Sequence, residues 1–165
     1  MKQTKFLVFW NPYEEDIEFS KAEYFDHMFS ECQNVVVIDL KNNKDPRSQR
    51  ILREADLVVL FMPQDKACFD DYFTQDYIPG EKVLFVVIDY ISDGVPDWPK
   101  ILWQYRIPRQ RLFFLPFHNR LQYVKEQGLM QRYQQGDYAA CSYERAIGFY
   151  PGYKALCEKL YSSLA

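Results

Sequence analysis

Residues 34–73 read NVVVIDLKNNKDPRSQRILREADLVVLFMPQDKACFDDYF, and the order of the pieces in this stretch decides the fold. Val35 to Ile38 and Leu57 to Met62 are short, unbroken apolar runs rich in β-branched side chains. They lack the polar–apolar alternation of a half-exposed strand, so they read as strands covered on both faces. Between them, Asp45-Pro46 opens a helix: aspartate accepts a free backbone N–H at the cap, and proline loses nothing at the first helical position. Ile51, Leu52 and Ala55 form the buried stripe of that helix. Asp65 to Phe73 reads as a second, short helix.

The same grammar extends in both directions. Phe6 to Trp10 (FLVFW), Val83 to Ile88 (VLFVVI) and Leu112 to Leu115 (LFFL) supply three more strands. Ser20 to Ser30 reads as a helix, with Ser20 and Glu23 as a capping box and Tyr24, Phe25, Met28 and Phe29 at helical spacing. Further helices are expected at Trp98 to Tyr105, at Asn119 to Gln127 before the C-cap Gly128, and at Gly152 to Ser163. Tyr153, Leu156, Leu160 and Tyr161 lie near one face of the last. Arg132 to Tyr150 is the least regular stretch and reads as an ordered loop or short helix. Alternating strands and helices with short connections imply right-handed crossovers and a three-layer α/β sandwich in one domain over residues 1–165.

Composition narrows the function classes. Of the 165 residues, 48% are hydrophobic, 18% aromatic and 26% charged, and the net charge is −3. A packed core follows, and without a lysine- or arginine-rich run no nucleic-acid partner is expected. The longest apolar runs fall far short of the ~20 residues of a membrane span. No targeting segment is recognisable, so a cytoplasmic location with reduced thiols is the expectation. Cys32, Cys68, Cys141 and Cys157 show no metal-type pairing and read as small hydrophobes rather than nucleophiles.

Within the quoted stretch a strand ends in Asp39, a loop and helix follow, and Glu54 to Met62 (EADLVVLFM) opens the next strand. This order resembles the middle of the ParA/MinD family of deviant Walker ATPases. Val83 to Tyr90, the proline-containing LFFLPFH at Leu112 to His118, and Val124 to Gly128 continue the resemblance in register, and Phe6 to Pro12 looks like the strand that feeds the phosphate loop. The departure lies just after that strand. A P-loop needs closely spaced glycines to aim backbone N–H groups at phosphates, and a lysine to neutralise them. Here Trp10 is followed by Asn11-Pro12-Tyr13-Glu14-Glu15-Asp16, and the first glycine is Gly80. Three successive acids would repel a triphosphate. The resemblance therefore implies a shortened relative that has lost the P-loop and its ATPase activity. Keeping the family's strand neighbours gives a five-stranded parallel sheet in the order 2-1-3-4-5, a flavodoxin-like arrangement.

Asn11, Asp39, Asp65 (or Gln64), Asp89 and His118 fall just beyond strand ends and form a candidate cluster at one sheet edge. Such a group would be an acid/base or magnesium site, with Asp39 and Asp89 as the metal pair; the competing reading is that these residues only cap turns and helices. His118 has no nucleophile motif beside it. Asp70-Asp71-Tyr72-Phe73 reads as a solvated helix end with two apolar anchors, and Trp98, Trp103, Tyr105 and Phe113 as core between a helix and an edge strand.

No catalytic residue, metal or cofactor is expected. By resemblance, the function expected is a non-catalytic pseudo-ATPase domain that binds a protein partner. The rival is a small-molecule enzyme of flavodoxin-like fold, processing nucleosides or nucleotides with strand-end carboxylates. The interaction surface, for a partner or a second copy, is expected at Arg132, Tyr133, Tyr138, Tyr143 and Arg145, because tyrosine and arginine are favoured at interfaces.

Overall fold

The computed structural model describes residues 3–14, 25, 34–75, 78–116 and 149–165. Its five strands are β1 (Lys5–Trp10), β2 (Val35–Asp39), β3 (Leu57–Pro63), β4 (Val83–Tyr90) and β5 (Leu112–Pro116). They form one sheet in the order β2-β1-β3-β4-β5, and every neighbouring pair is parallel. The expected order and direction are observed. The described helices are α1 (Pro46–Glu54), α2 (Lys66–Gln75), α3 (Trp98–Tyr105) and α4 (Phe149–Leu164).

Local sequence chemistry sets the helix starts. Asp45 caps α1, its Oδ1 accepting the Ser48 N–H at 2.9 Å, with Pro46 at the first turn. That N–H holds the Asp45 carboxyl below the usual carboxylate range. Asp97 caps α3 in the same way through the Lys100 N–H. α3 stops where Arg106 turns left-handed, with φ 52°.

Alternate strand residues feed two cores, one on each face. Val8, Trp10, Val58, Leu60, Met62, Phe85 and Val87 pack with Leu52 of α1, Phe69 of α2 and Ile101 of α3. Leu7, Phe9, Val59, Phe61, Leu84 and Val86 pack on the other face with Phe25 and with Tyr153, Leu156 and Leu160 of α4. Removing each such side chain from water contributes about 1.5–3 kcal/mol. Gly152 lets α4 approach β5: a Cβ there would meet the Phe114 carbonyl oxygen at 2.2 Å.

Two expectations fail. β2 is not covered on both faces: Val36 and Val37 are 41% and 37% exposed. An edge strand has a neighbour on one side only and lies at the rim of the covering layers. Tyr161 is exposed as well, because the inward stripe of α4 runs through Leu156, Leu160 and Leu164 and leaves position 161 to its side. The helices expected at Ser20 to Ser30 (apart from Phe25) and Asn119 to Gln127 lie outside the described residues, as does the irregular stretch before residue 149.

Candidate functional site

The ends of β1 and β2 are knitted together by their following loops. The Asn11 N–H donates to the Lys41 carbonyl at 2.7 Å, and the Leu40 N–H to the Phe9 carbonyl at 2.9 Å. The Trp10 indole donates to the Asn43 carbonyl at 2.8 Å, and the Asn42 amide to the Glu14 carbonyl at 3.0 Å. Tyr13 leans across the corner, donating its hydroxyl to Asp71 of α2 at 2.8 Å, with the Lys44 ammonium 4.7 Å from its ring centroid. Asn11 is 4% exposed. Its amide nitrogen donates to the Glu14 carboxylate, while its Oδ1 is buried without a partner among the described residues.

Two carboxylates of the expected cluster, Asp39 and Asp65, serve the backbone. Asp39 Oδ1 accepts the Lys41 N–H at 2.9 Å, closing a turn in which Lys41 has φ 51°. Asp65 Oδ1 accepts the Ala67 N–H at 2.8 Å at the start of α2. Asp89 is exposed, with φ 50°, at a register shift between β4 and β5. Aspartate tolerates that left-handed conformation better than most residues, which suits it to a bulge. Gln64, the neighbour of Asp65, ties down the loop after β4. Its Oε1 accepts the Ile91 N–H at 2.9 Å, and its Nε2 donates to the Ile91 and Pro96 carbonyls at 3.0 and 2.9 Å.

The strand order separates Asp39 from Asp89. β1 and β3 lie between β2 and β4, so the two carboxylates sit three strand spacings apart, about 14 Å. Carboxylates sharing a magnesium ion each stand about 2 Å from it. The magnesium reading of Asp39 with Asp89 is therefore not supported, and no group of three or more His, Cys, Asp or Glu among the described residues is placed to hold a metal. His118, Arg132, Tyr133, Tyr138, Tyr143 and Arg145 lie outside the described residues.

Two further expectations are corrected. Asp70 and Asp71 are not simply solvated. Asp70 Oδ1 accepts the Tyr105 hydroxyl at 2.7 Å and its other oxygen pairs with Lys66, while Asp71 receives Tyr13. The Lys66 bond, then the Tyr105 bond, holds the Asp70 carboxyl below its usual range. Burial, then Asp70, pushes the Tyr105 phenol up. Its ring stacks on Phe69 and Phe73 with centroids 5.2 and 5.1 Å apart, so Tyr105 joins α3 to α2.

The aromatic group is not one core either. Phe113 packs on the α4 side of the sheet, away from Tyr105. Trp98 is 44% exposed and Trp103 88% exposed. In α3 the inward position is Ile101, which turns Trp103 outward. Trp103, Leu102, Gln104 and Arg106 line a shallow depression at the end of that helix. Sequence reasoning missed this surface. The signal was present: from Trp98 to Arg111 there are four basic residues and no acidic one.

The described cysteines are not activated. Burial pushes the Cys157 thiol up to about 11, and burial, then Asp65, raises Cys68. The thiolate is the reacting form. Labelling of the Cys157 peptide by iodoacetamide should therefore be slow at pH 7 and rise about tenfold per pH unit towards pH 11. Peptide mapping by mass spectrometry reads this; labelling at pH 7 as fast as that of an unstructured cysteine peptide contradicts it.

No family model matches the chain, and no curated protein matches it. Among solved structures, an NADPH-quinone reductase from P. pentosaceus is similar at 13% identity and a TM-score of 0.41, over 81% of this chain and 96% of that one. A likeness at that level says nothing of what this chain binds. No described helix is long and apolar enough to cross a membrane.

Proposed function

We propose that the chain is a non-catalytic, ParA/MinD-like domain that has lost its nucleotide site and binds another protein in the cytoplasm. The observation that carries this reading is the outer surface of α3. Trp103 stands 88% exposed and Trp98 44% exposed on the same helix, and tryptophan and arginine are the residues most often found at the energetic centre of interfaces. The strand-end edge supports the same reading, since Asp39 and Asp65 accept backbone N–H groups and Glu14 accepts the Asn11 amide.

A second reading, a nucleoside- or nucleotide-processing enzyme, has one observation in its favour. The unpartnered Asn11 Oδ1 sits at the end of β1, beside β3, where the direction of strand order reverses and open α/β sheets bind ligands.

Thermal unfolding with ATP, ADP, FMN and magnesium, singly and together, separates the two. A ligand at one hundred times its Kd adds about 2.7 kcal/mol, worth roughly 5–10 °C in a domain of this size. The partner-binding reading expects no shift with any of them. A rise of that size with any one overturns it in favour of the enzyme.

A further inference from the structure

We infer that the outer face of α3 and the turn after it bind an acidic peptide segment of a partner protein, one that carries an apolar side chain among its carboxylates. This inference rests on the partner-binding reading and names the partner's chemistry. It is carried by the coincidence of exposed aromatic surface and one-sided charge. Lys100 pairs with the cap residue Asp97 at 3.7 Å, and from there to Arg111 the chain places Arg106, Arg109 and Arg111 and no acid, in a protein whose net charge is −3.

The structure holds these groups together. Pro99, Trp103 and Arg106 follow one another along an exposed stripe of the helix and its cap, the i, i+4, i+7 pattern of a single face. Arg106 makes no ion pair with any described residue, and it occupies the left-handed C-cap position where glycine is the ordinary choice. A cation at a helix C-terminus is favoured by the dipole, so its charge is held beside Trp103 rather than spread over the surface. The Arg109 guanidinium lies 5.8 Å from the Trp98 ring centroid and donates to the Leu112 carbonyl at 2.9 Å. Arg111 is anchored to the Val83 carbonyl at 3.2 Å. Among the described residues, Arg109 and Arg111 are each tethered to the backbone through Nη1 alone, which leaves their other N–H groups to a partner, in the fork geometry that suits a carboxylate. The depression lined by Leu102, Trp103, Gln104 and Arg106 gives the apolar side chain a seat.

The patch is short. An eight-residue helix is about 12 Å long, which matches a few residues of extended peptide. A nucleic acid would run on past it over a protein of net negative charge.

The test uses the full chain and a fluorescein-labelled ten-residue peptide of Glu and Asp with one Leu and one Phe at its centre. Fluorescence anisotropy should show saturable binding that weakens with salt. Trp103→Ala and Arg106→Glu should each weaken it tenfold or more, and unchanged melting temperatures will show that both variants fold. A peptide with Lys in place of the acids, a single-stranded dT oligomer and phosphatidylserine vesicles should bind more weakly than the acidic peptide. No saturable binding of the acidic peptide, binding unaffected by Trp103→Ala, or tighter binding of the oligomer or the vesicles overturns the inference. In the same titration, loss of binding in a Tyr138→Ser/Tyr143→Ser variant but not in Trp103→Ala overturns this surface while leaving partner binding intact. A melting shift with ATP or FMN is instead a failure of the partner reading itself.

Discussion

Replacing Trp10 with alanine is expected to lower the free energy of unfolding by about 3–5 kcal/mol. Trp10 is fully buried at the end of β1, an interior strand between β2 and β3, so truncation removes the whole ring from a close-packed core that relaxes only in part. The cost has a second component. The indole N–H donates to the Asn43 carbonyl, and that bond fastens the loop between β2 and α1 to the end of β1. Trp10→Phe keeps most of the apolar volume but loses the donor, and should cost about 1–2 kcal/mol. Urea unfolding followed by circular dichroism measures both. Since domains are stable by only about 5–15 kcal/mol, the alanine variant should shift the midpoint far. A cost below about 1 kcal/mol for Trp10→Ala would mean that the ring is not buried in the core under β1.

Phe25→Ala should have an effect of similar size, about 3–5 kcal/mol, by a different route. Phe25 is fully buried on the opposite face of the sheet. Its ring lies 5.2 Å from Phe9, 6.5 Å from Phe61 and 5.4 Å from Tyr153, centroid to centroid. It therefore joins the sheet to α4, and removing it should loosen the C-terminal helix as well as the core. A double-mutant cycle with Tyr153→Ala isolates that link, with an expected coupling of about 0.5–3 kcal/mol, the range for side chains in contact. Strict additivity would show that α4 docks without Phe25.

The sheet was legible because its strands are written locally. Unbroken apolar runs such as VVVI and VLFVVI mark buried parallel strands wherever they pair, and Asp45-Pro46 marks a helix start without any tertiary information. The exposure of Val37 was not legible in the same way. Its composition is that of a central strand, and only its place at the rim of the sheet exposes it.

The candidate cluster shows the limit more sharply. Asp39, Asp65 and Asp89 do fall at strand ends, but which strands adjoin decides whether two carboxylates meet. The intervening β1 and β3 keep Asp39 from Asp89. The bonds Tyr13 to Asp71, Tyr105 to Asp70 and Gln64 to the loop after β4 span 58, 35 and 27 residues of sequence respectively. No local spacing rule reports contacts of that range. The outward turn of Trp103 depended on which residue of α3 faces the sheet, and the short helix offered two apolar choices, Ile101 and Leu102, beside two tryptophans.

Amide hydrogen exchange with and without the acidic peptide tests the central claim, that the working surface is the outer face of α3 and not the strand-end edge. The account predicts added protection confined to the backbone of residues 98–111. Protection at residues 11–14, 40–45 and 64–65 instead would place binding at the strand ends and contradict it.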